Sequence, residues 1–439
     1  MSEPRQARTG AVLFGSFDAE RRWRPEGLAS LPQLADPGAD RLVACMDEAL
    51  FAAAEPGDLL ITRDPVAPAL VAAREAAGYT CEHHHTGGTH PGPDADADVE
   101  HRLLANAGLL RRIGGFARLH PYAVLPATGA LADLTGHATD VPGGEQVVRV
   151  NGKAWSSLLA ARHGLPGAGR VVRSAAELAE AVRSYVEPGH SVVLVKDSYG
   201  VAGRGTFEVT SERRLARLVA HLRCQEDRGL AVEFVVQPLY DRVADFSSHL
   251  LINPDGSWRL LGVQHLANSG YRHEMSGPVP HALVGDLRRP AHPEVMELVA
   301  RSLAEEGYLG PVCVDSMVLR DGTWIPILEV NARMSMGGLN LRLDNRVREH
   351  GLRSHLWQED VTIHDSFDVD HLLKLLREEG LLYEGGSGAG VLLLVGGALV
   401  APRGRLVCAA LCPPDAFPRL RAATRTVAAS AGIPLARAA

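Results

Sequence analysis

Short apolar runs alternate with helical periods over residues 11–142: AVLFGSF, then RLVACMDEALFAAA, then DLLITRD, then a helix predicted over 65–77. That alternation predicts a βαβ layer with parallel strands. Gly15 and Ser16 follow the first strand, but no GxGxxG is present, so no dinucleotide site is assigned. The segment CEHHHTGGTHPGP, with His83, His84, His85 and His90, is rich in glycine and proline and is expected to be a solvated loop rather than a metal site.

A second unit opens with a helix over 151–166 that carries Lys153 at its start. SAAELAEAVRSYV follows, with Ser174 as N-cap and Glu177 completing a capping box. A buried strand then runs to Lys196, a loop holds Gly200, Gly203 and Gly205, and another strand leaves it. After a helix over 212–223 come the strand AVEFVVQ and the pair DFSSHLLI and SWRLLGVQHL, turned at Asn253. ANSGYRHEMSGP reads as a polar loop that offers Arg272 and His273 to a phosphate or a substrate. A helix over 292–306 leads into VCVDSMVLRDGTWIPILEVNARMSMGG, two strands turned at Asp321 and Gly322. The polar run from Gly337 offers Asn340 and Arg342 to a substrate pocket. The tail holds a helix, two strands and a last helix, a small α+β lid or appendage.

The hairpin at 312–338 carries the chemistry. Pairing sets Asp315 across from Glu329, and Asn331 shares the face of Glu329. Two carboxylates and an amide oxygen are a hard donor set suited to Mg²⁺, and Arg333 beside them suits phosphate oxygens. The bland alternative is a surface hairpin with scattered charge. Val312, Val314, Ile325, Ile327 and Val330 make both strands apolar enough to be central, and buried strands do not carry such acids without cause. At the glycine loop, Lys196 and Arg204 add positive charge to backbone N–H groups, which describes a flap over polyphosphate. It joins two strands and is not a P-loop.

The formal net charge of −7 and dispersed basic residues argue against nucleic acid. Six widely spaced cysteines suit a reducing cytoplasm. The polar start shows no secretory signal, and the most apolar stretch, 388–402, is too short and glycine-rich to span a bilayer, so no membrane partner is expected.

With the lysines, the glycine loop and the Asp, Glu, Asn and Arg set in view, residues 151–345 resemble the ATP-grasp superfamily of carboxylate–amine ligases. The resemblance implies α/β and α+β architecture: a Rossmann-like pre-ATP-grasp domain over 1–145, an ATP-grasp domain over 146–355 with its lid at about 190–240, and a small C-terminal α+β domain over 356–439. It implies ATP and Mg²⁺ as cofactors. Lys153 and Lys196 are similar to the lysines that hold ATP phosphates, and Gly203, Arg204 and Gly205 to the flap. Gln237, Pro238, Leu239 and Tyr240 are similar to the adenine hinge, and Asp245 to the acid on the ribose. Asp315, Glu329 and Asn331 are similar to the Mg²⁺ ligands, and Arg333 to the arginine beside the γ-phosphate. Departures are a flap poorer in glycine, Gln237 in place of a hinge acid, and Cys313 where one branch carries an arginine. The last leaves Arg333, Arg342 and Arg272, with Lys196, as candidates for the catalytic cations.

In layout the chain resembles the peptide ligase of pheganomycin biosynthesis and its relatives in antibiotic clusters. The implied reaction joins a small-molecule or peptide carboxylate to an amine through an acyl phosphate, in the cytoplasm, and a homodimer is compatible with it. The alternatives are a small-molecule kinase, aminoacyl transfer to a carrier-protein thiol, and an ATP-binding regulatory module.

Overall fold

A computed structural model describes residues 9–33, 36–87, 98–187, 189–200, 205–283, 285, 291–365 and 367–436 of the chain. Its first layer is a parallel sheet in the order β3-β2-β1-β4, built from β1 (Ala11–Phe14), β2 (Leu59–Thr62), β3 (Glu82–His85) and β4 (Arg118–Pro121). AVLF and LLIT are buried throughout, as strands covered on both faces must be. The expected histidine loop is corrected here. Residues 82–85 form the edge strand β3, whose pairing with β2 overrides the local glycine and proline signal, and His83 Nε2 lies 2.9 Å from Thr62 Oγ1. His90 lies outside the described residues.

The second layer is an antiparallel sheet in the order β5-β8-β6-β7, of β5 (Arg170–Val172), β6 (Val193–Asp197), β7 (Thr206–Val209) and β8 (Phe234–Pro238). Helices Ala175–Val186 and Glu212–Glu226 bury Leu178, Val182, Leu215 and Leu222 against it. Ser174 accepts from Glu177 N, but the Glu177 carboxylate accepts from Arg173 N, one residue before the cap. Ala29 and Leu31, from the N-terminal region, belong to the same core, and Arg24 is ion-paired with Asp197. Residues 24–31 thus strap this layer to the first.

The third sheet has eight strands in the order β13-β12-β9-β10-β11-β14-β16-β15. They are β9 (Arg242–Ile252), β10 (Trp258–Ser269), β11 (Arg272–Gly277), β12 (Gly310–Leu319), β13 (Trp324–Asn331), β14 (Arg353–Thr362), β15 (Gly390–Val395) and β16 (Arg403–Cys412). Two expectations change. Arg272 and His273 lie in β11, paired with β10, rather than in a loop. Of the two hairpin strands only β12 is central. β13 is the edge, and side chains supply its outer partners: Val330 N donates to Ser156 Oγ at 3.0 Å, and Ala332 N to Asn151 Oδ1 at 2.8 Å.

β14, β16 and β15 extend the same sheet from β11, so the C-terminal residues are built onto the far end of the sheet that carries Asp315 and Glu329. Their core holds Trp357, Leu372 and Leu406 together with Val66, Leu70 and Ala73 from the first layer. Buried Glu48 secures that contact, accepting from Gly396 N at 2.9 Å and Gly397 N at 2.8 Å beside Arg74. No described helix is long and apolar enough to cross a membrane.

Candidate active site

Register places Asp315 opposite Glu329 and Cys313 opposite Asn331, as hairpin pairing demands. Asn331 Nδ2 donates to Asp315 Oδ2 at 3.0 Å, which leaves the amide oxygen turned toward Arg333 Nη2 at 3.2 Å. Lys153 reaches in from the first residue of helix Lys153–Arg162. Its Nζ lies 2.8 Å from Glu329 Oε1 and donates to Gly200 O at 3.0 Å. Lys196 enters from β6, across the cleft. The two lysines therefore flank Glu329.

The charges answer one another. Burial raises the Glu329 carboxyl, but Lys153 and then Lys196 and Arg333 outweigh it and hold it below its usual range. Burial and the neighbouring Glu329 push Asp315 up to about 7. Burial brings Lys196 down to about 8, against the attraction of Glu329 and helped by Lys153. Glu329 is thus the ionised member of the acid pair, and a divalent cation would let Asp315 join it.

Arg333 stands beside this group, but its donors are already engaged. Nε and Nη2 donate to Glu20 Oε1 at 2.9 and 2.5 Å, and Nη1 to Tyr122 OH at 3.2 Å and Met334 O at 2.9 Å. Burial lowers the guanidinium, yet Glu20 and Tyr122 more than reverse this and hold it above its ordinary value. Glu20 and Tyr122 come from the first layer and had no sequence signal. Glu20 sits in the short helix Ala19–Trp23 and is buried.

The cleft between the four-stranded antiparallel sheet and the large sheet measures about 360 Å³ and takes in Lys153, Lys196, Asp315, Glu329, Asn331 and Arg333. Gln237, Pro238, Leu239 and Tyr240 line it, and so do Gly205 and Asp245. Leu239 N donates to Val192 O at 3.0 Å, so that hinge donor is spent inside the protein. Asp245 Oδ2 accepts from Asn268 at 2.8 Å, while buried Oδ1 has no partner among the described residues. A ligand hydroxyl in the cleft would satisfy it.

Gly200 and Gly205 cross at the base of the loop, where a Cβ on Gly200 would sit 2.5 Å from Gly205 Cα. Gly203 and Arg204 lie outside the described residues. Arg272 lines the cleft but is ion-paired with Asp360 at 2.5 Å. Arg342 does not join the cleft: it lines an adjoining cavity. Asn340 is corrected from a pocket residue to a core residue, fully buried and donating to Gln264 Oε1 at 2.6 Å and to Ser276 O and Ser354 O.

The donor set fits magnesium in type. Among the described residues no three His, Cys, Asp or Glu side chains are placed to hold a metal ion together, and the group here is two carboxylates and an amide oxygen.

Solved structures share this arrangement of layers. The biotin carboxylase domain of the Hydrogenobacter thermophilus 2-oxoglutarate carboxylase, complexed with MgADP and bicarbonate, is 14% identical with a TM-score of 0.56. The match covers 98% of this chain and 91% of that one. The Aspergillus clavatus carboxyaminoimidazole ribonucleotide synthase, complexed with ATP, is 10% identical with a TM-score of 0.54, over 97% and 98% of the two chains. Campylobacter jejuni biotin carboxylase gives 12%, 0.51, 92% and 87%.

The chain has the ATP-grasp fold. At these identities the likeness is one of fold. In sequence, residues 371–411 match the family model described as the PGM1 C-terminal domain. No curated protein matches it in sequence.

Proposed function

We propose that the chain is an ATP-dependent carboxylate–amine ligase that works through an acyl phosphate and releases ADP and phosphate. One observation carries the reading: Lys153, Lys196, Asp315, Glu329, Asn331 and Arg333, drawn from both sides of the cleft, converge on one place. The solved structures of this fold that hold MgADP or ATP support a nucleotide there. Asp315, Glu329 and Asn331 would hold Mg²⁺, which when bound neutralises charge on the transferring phosphoryl group.

Lys153 and Lys196 bind the phosphates from opposite sides of the cleft, Lys153 exchanging its ion pair with Glu329 for phosphate oxygens. Arg333, positioned by Glu20, faces the centre where the substrate carboxylate attacks the γ-phosphorus. Excluding water from the cleft protects the acyl phosphate from hydrolysis. The amine nitrogen then bonds to the acyl carbon as the C–O bond to phosphate breaks. Inorganic phosphate leaves with the electron pair and the amine proton, and the product is an amide.

We further propose peptide ligation of the pheganomycin type, in natural-product assembly. The match of residues 371–411 to the PGM1 C-terminal domain and the three-part layout support this narrower reading. Phosphate release from ATP that needs both an acid and an amine, with hydroxamate formed when hydroxylamine replaces the amine, is the expected outcome. A stable phosphoester would support the kinase instead, and a thioester the carrier-protein transfer. Glu329→Gln should cut turnover by on the order of 10²–10³-fold with the fold retained, as read by circular dichroism. Turnover near the normal rate would remove Glu329 from the metal site.

A further inference from the structure

A second cavity, of about 370 Å³, shares Arg333 and Ser335 with the nucleotide cleft. Leu250, Leu261, Val312 and Leu341 give it apolar walls, and Arg259 of β10 and Arg342 of helix Met336–Val347 bring two guanidinium groups to it. A register shift between Leu260 and Gly262 sets an extra residue, Leu261, into β10 and turns it toward the cavity. Gly262 lets the helix seat on that strand, since a Cβ there would lie 2.9 Å from Leu341 Cδ1.

The charge balance of this cavity differs from that of the cleft. Lys153, Arg333 and Arg272 each face a carboxylate at 2.8 Å or less. The guanidinium groups of Arg259 and Arg342 make no hydrogen bond or ion pair among the described residues. The acids that act on Arg342 are committed elsewhere. Glu55 pairs with Arg346 at 2.9 Å, and Asp58 accepts from Ala11 N at 2.7 Å and Glu55 N at 2.8 Å. Burial lowers the Arg342 pKa, and Arg346 and Arg259 act in the same direction against Glu55 and Asp58. A half-buried guanidinium held beside another cation, without a counter-ion, is stabilised when an anion arrives.

We infer that this cavity binds the amine substrate of the proposed ligase: an amino acid or peptide with a free terminal carboxylate and an apolar terminal side chain. Arg342 and Arg259 take the carboxylate, the leucines and Val312 take the side chain, and the amino end reaches the acyl centre past Ser335 and Arg333. The assignment rests on the ligase reading for the direction of the amine but on the cavity alone for carboxylate recognition. The apolar walls favour the small single charge of a carboxylate over a phosphate.

Calorimetry with L-leucyl-L-leucine, its C-terminal amide and its C-terminal phosphonate analogue tests this on the intact chain. The dipeptide should bind the wild type, with affinity at least tenfold lower for the amide and for Arg342→Gln. Absence of binding, equal affinity for acid and amide, an unchanged Arg342→Gln, or tighter binding of the phosphonate would each overturn the assignment. Hydroxamate formation by the wild type, screened over acids without any peptide, reports on the ligase reading separately. If it fails while carboxylate selectivity holds, the parent reaction is wrong and the cavity stands; the reverse result sinks the cavity alone.

Discussion

Glu329 is the residue on which the site's electrostatics turn, because Lys153 pairs with it and Lys196 and Arg333 add their positive charge around it. Its neighbours then set the pH response. The folded-state pKa of Asp315, at about 7, lies above its ordinary 3.8, so the folded chain keeps a proton that the unfolded chain has released. Without metal, stability at this residue therefore falls as pH rises from about 4 to 7, and Mg²⁺ should restore it. Lys196, at about 8, sheds its charge as pH rises further. Binding of ADP in the presence of Mg²⁺, followed by calorimetry, should strengthen from pH 6 to between 7 and 8 and weaken again by pH 9. A flat profile would separate both groups from the ligand. Asp315, Glu329 and Asn331 were legible in the sequence because a hairpin fixes partners from local pattern alone. Glu20 was not, since its bond to Arg333 spans 313 residues and depends on two layers docking.

At the scale of elements, β13 shows how an exposed sheet edge is put to use. Asn151 and Ser156 stand where another strand would donate and accept, and the same helix start brings Lys153 to Glu329. Asn151→Ala would leave the buried Ala332 N–H unpaired and should cost about 1–3 kcal/mol in urea unfolding. Phosphate release should fall as well, because Lys153 loses its bearing on the cleft. An unchanged unfolding midpoint would show that water replaces the amide. At the crossing of Gly200 and Gly205, a methyl group on either collides with the other's backbone. Gly200→Ala should therefore weaken ADP binding about tenfold, the effect of roughly 1.4 kcal/mol of misfit, in the same assay. Elements with strong periodicity, such as the helix Glu212–Glu226, were readable from sequence. β3 and β11 were not, because EHHH and RHEMSG have no apolar alternation and become strands only when a neighbouring strand pairs with them.

For the whole molecule, the parallel first layer followed from the alternation of runs and periods, and its strand pairing bears that out. What the sequence hid was how the layers are joined. Nothing in residues 24–31 announces a strap, because Arg24, Ala29 and Leu31 gain meaning only from Asp197 and the core they reach. Likewise the tail reads as an appendage, while its strands complete a sheet begun more than a hundred residues earlier. The Glu48 carboxylate grips two successive amides 348 and 349 positions downstream and so closes the polypeptide into something like a belt with its buckle fastened. A single backbone cut in the exposed turn at 386–389 should therefore leave two pieces that travel together on gel filtration and separate only in denaturant; early separation in plain buffer would mean that the buckle does not hold.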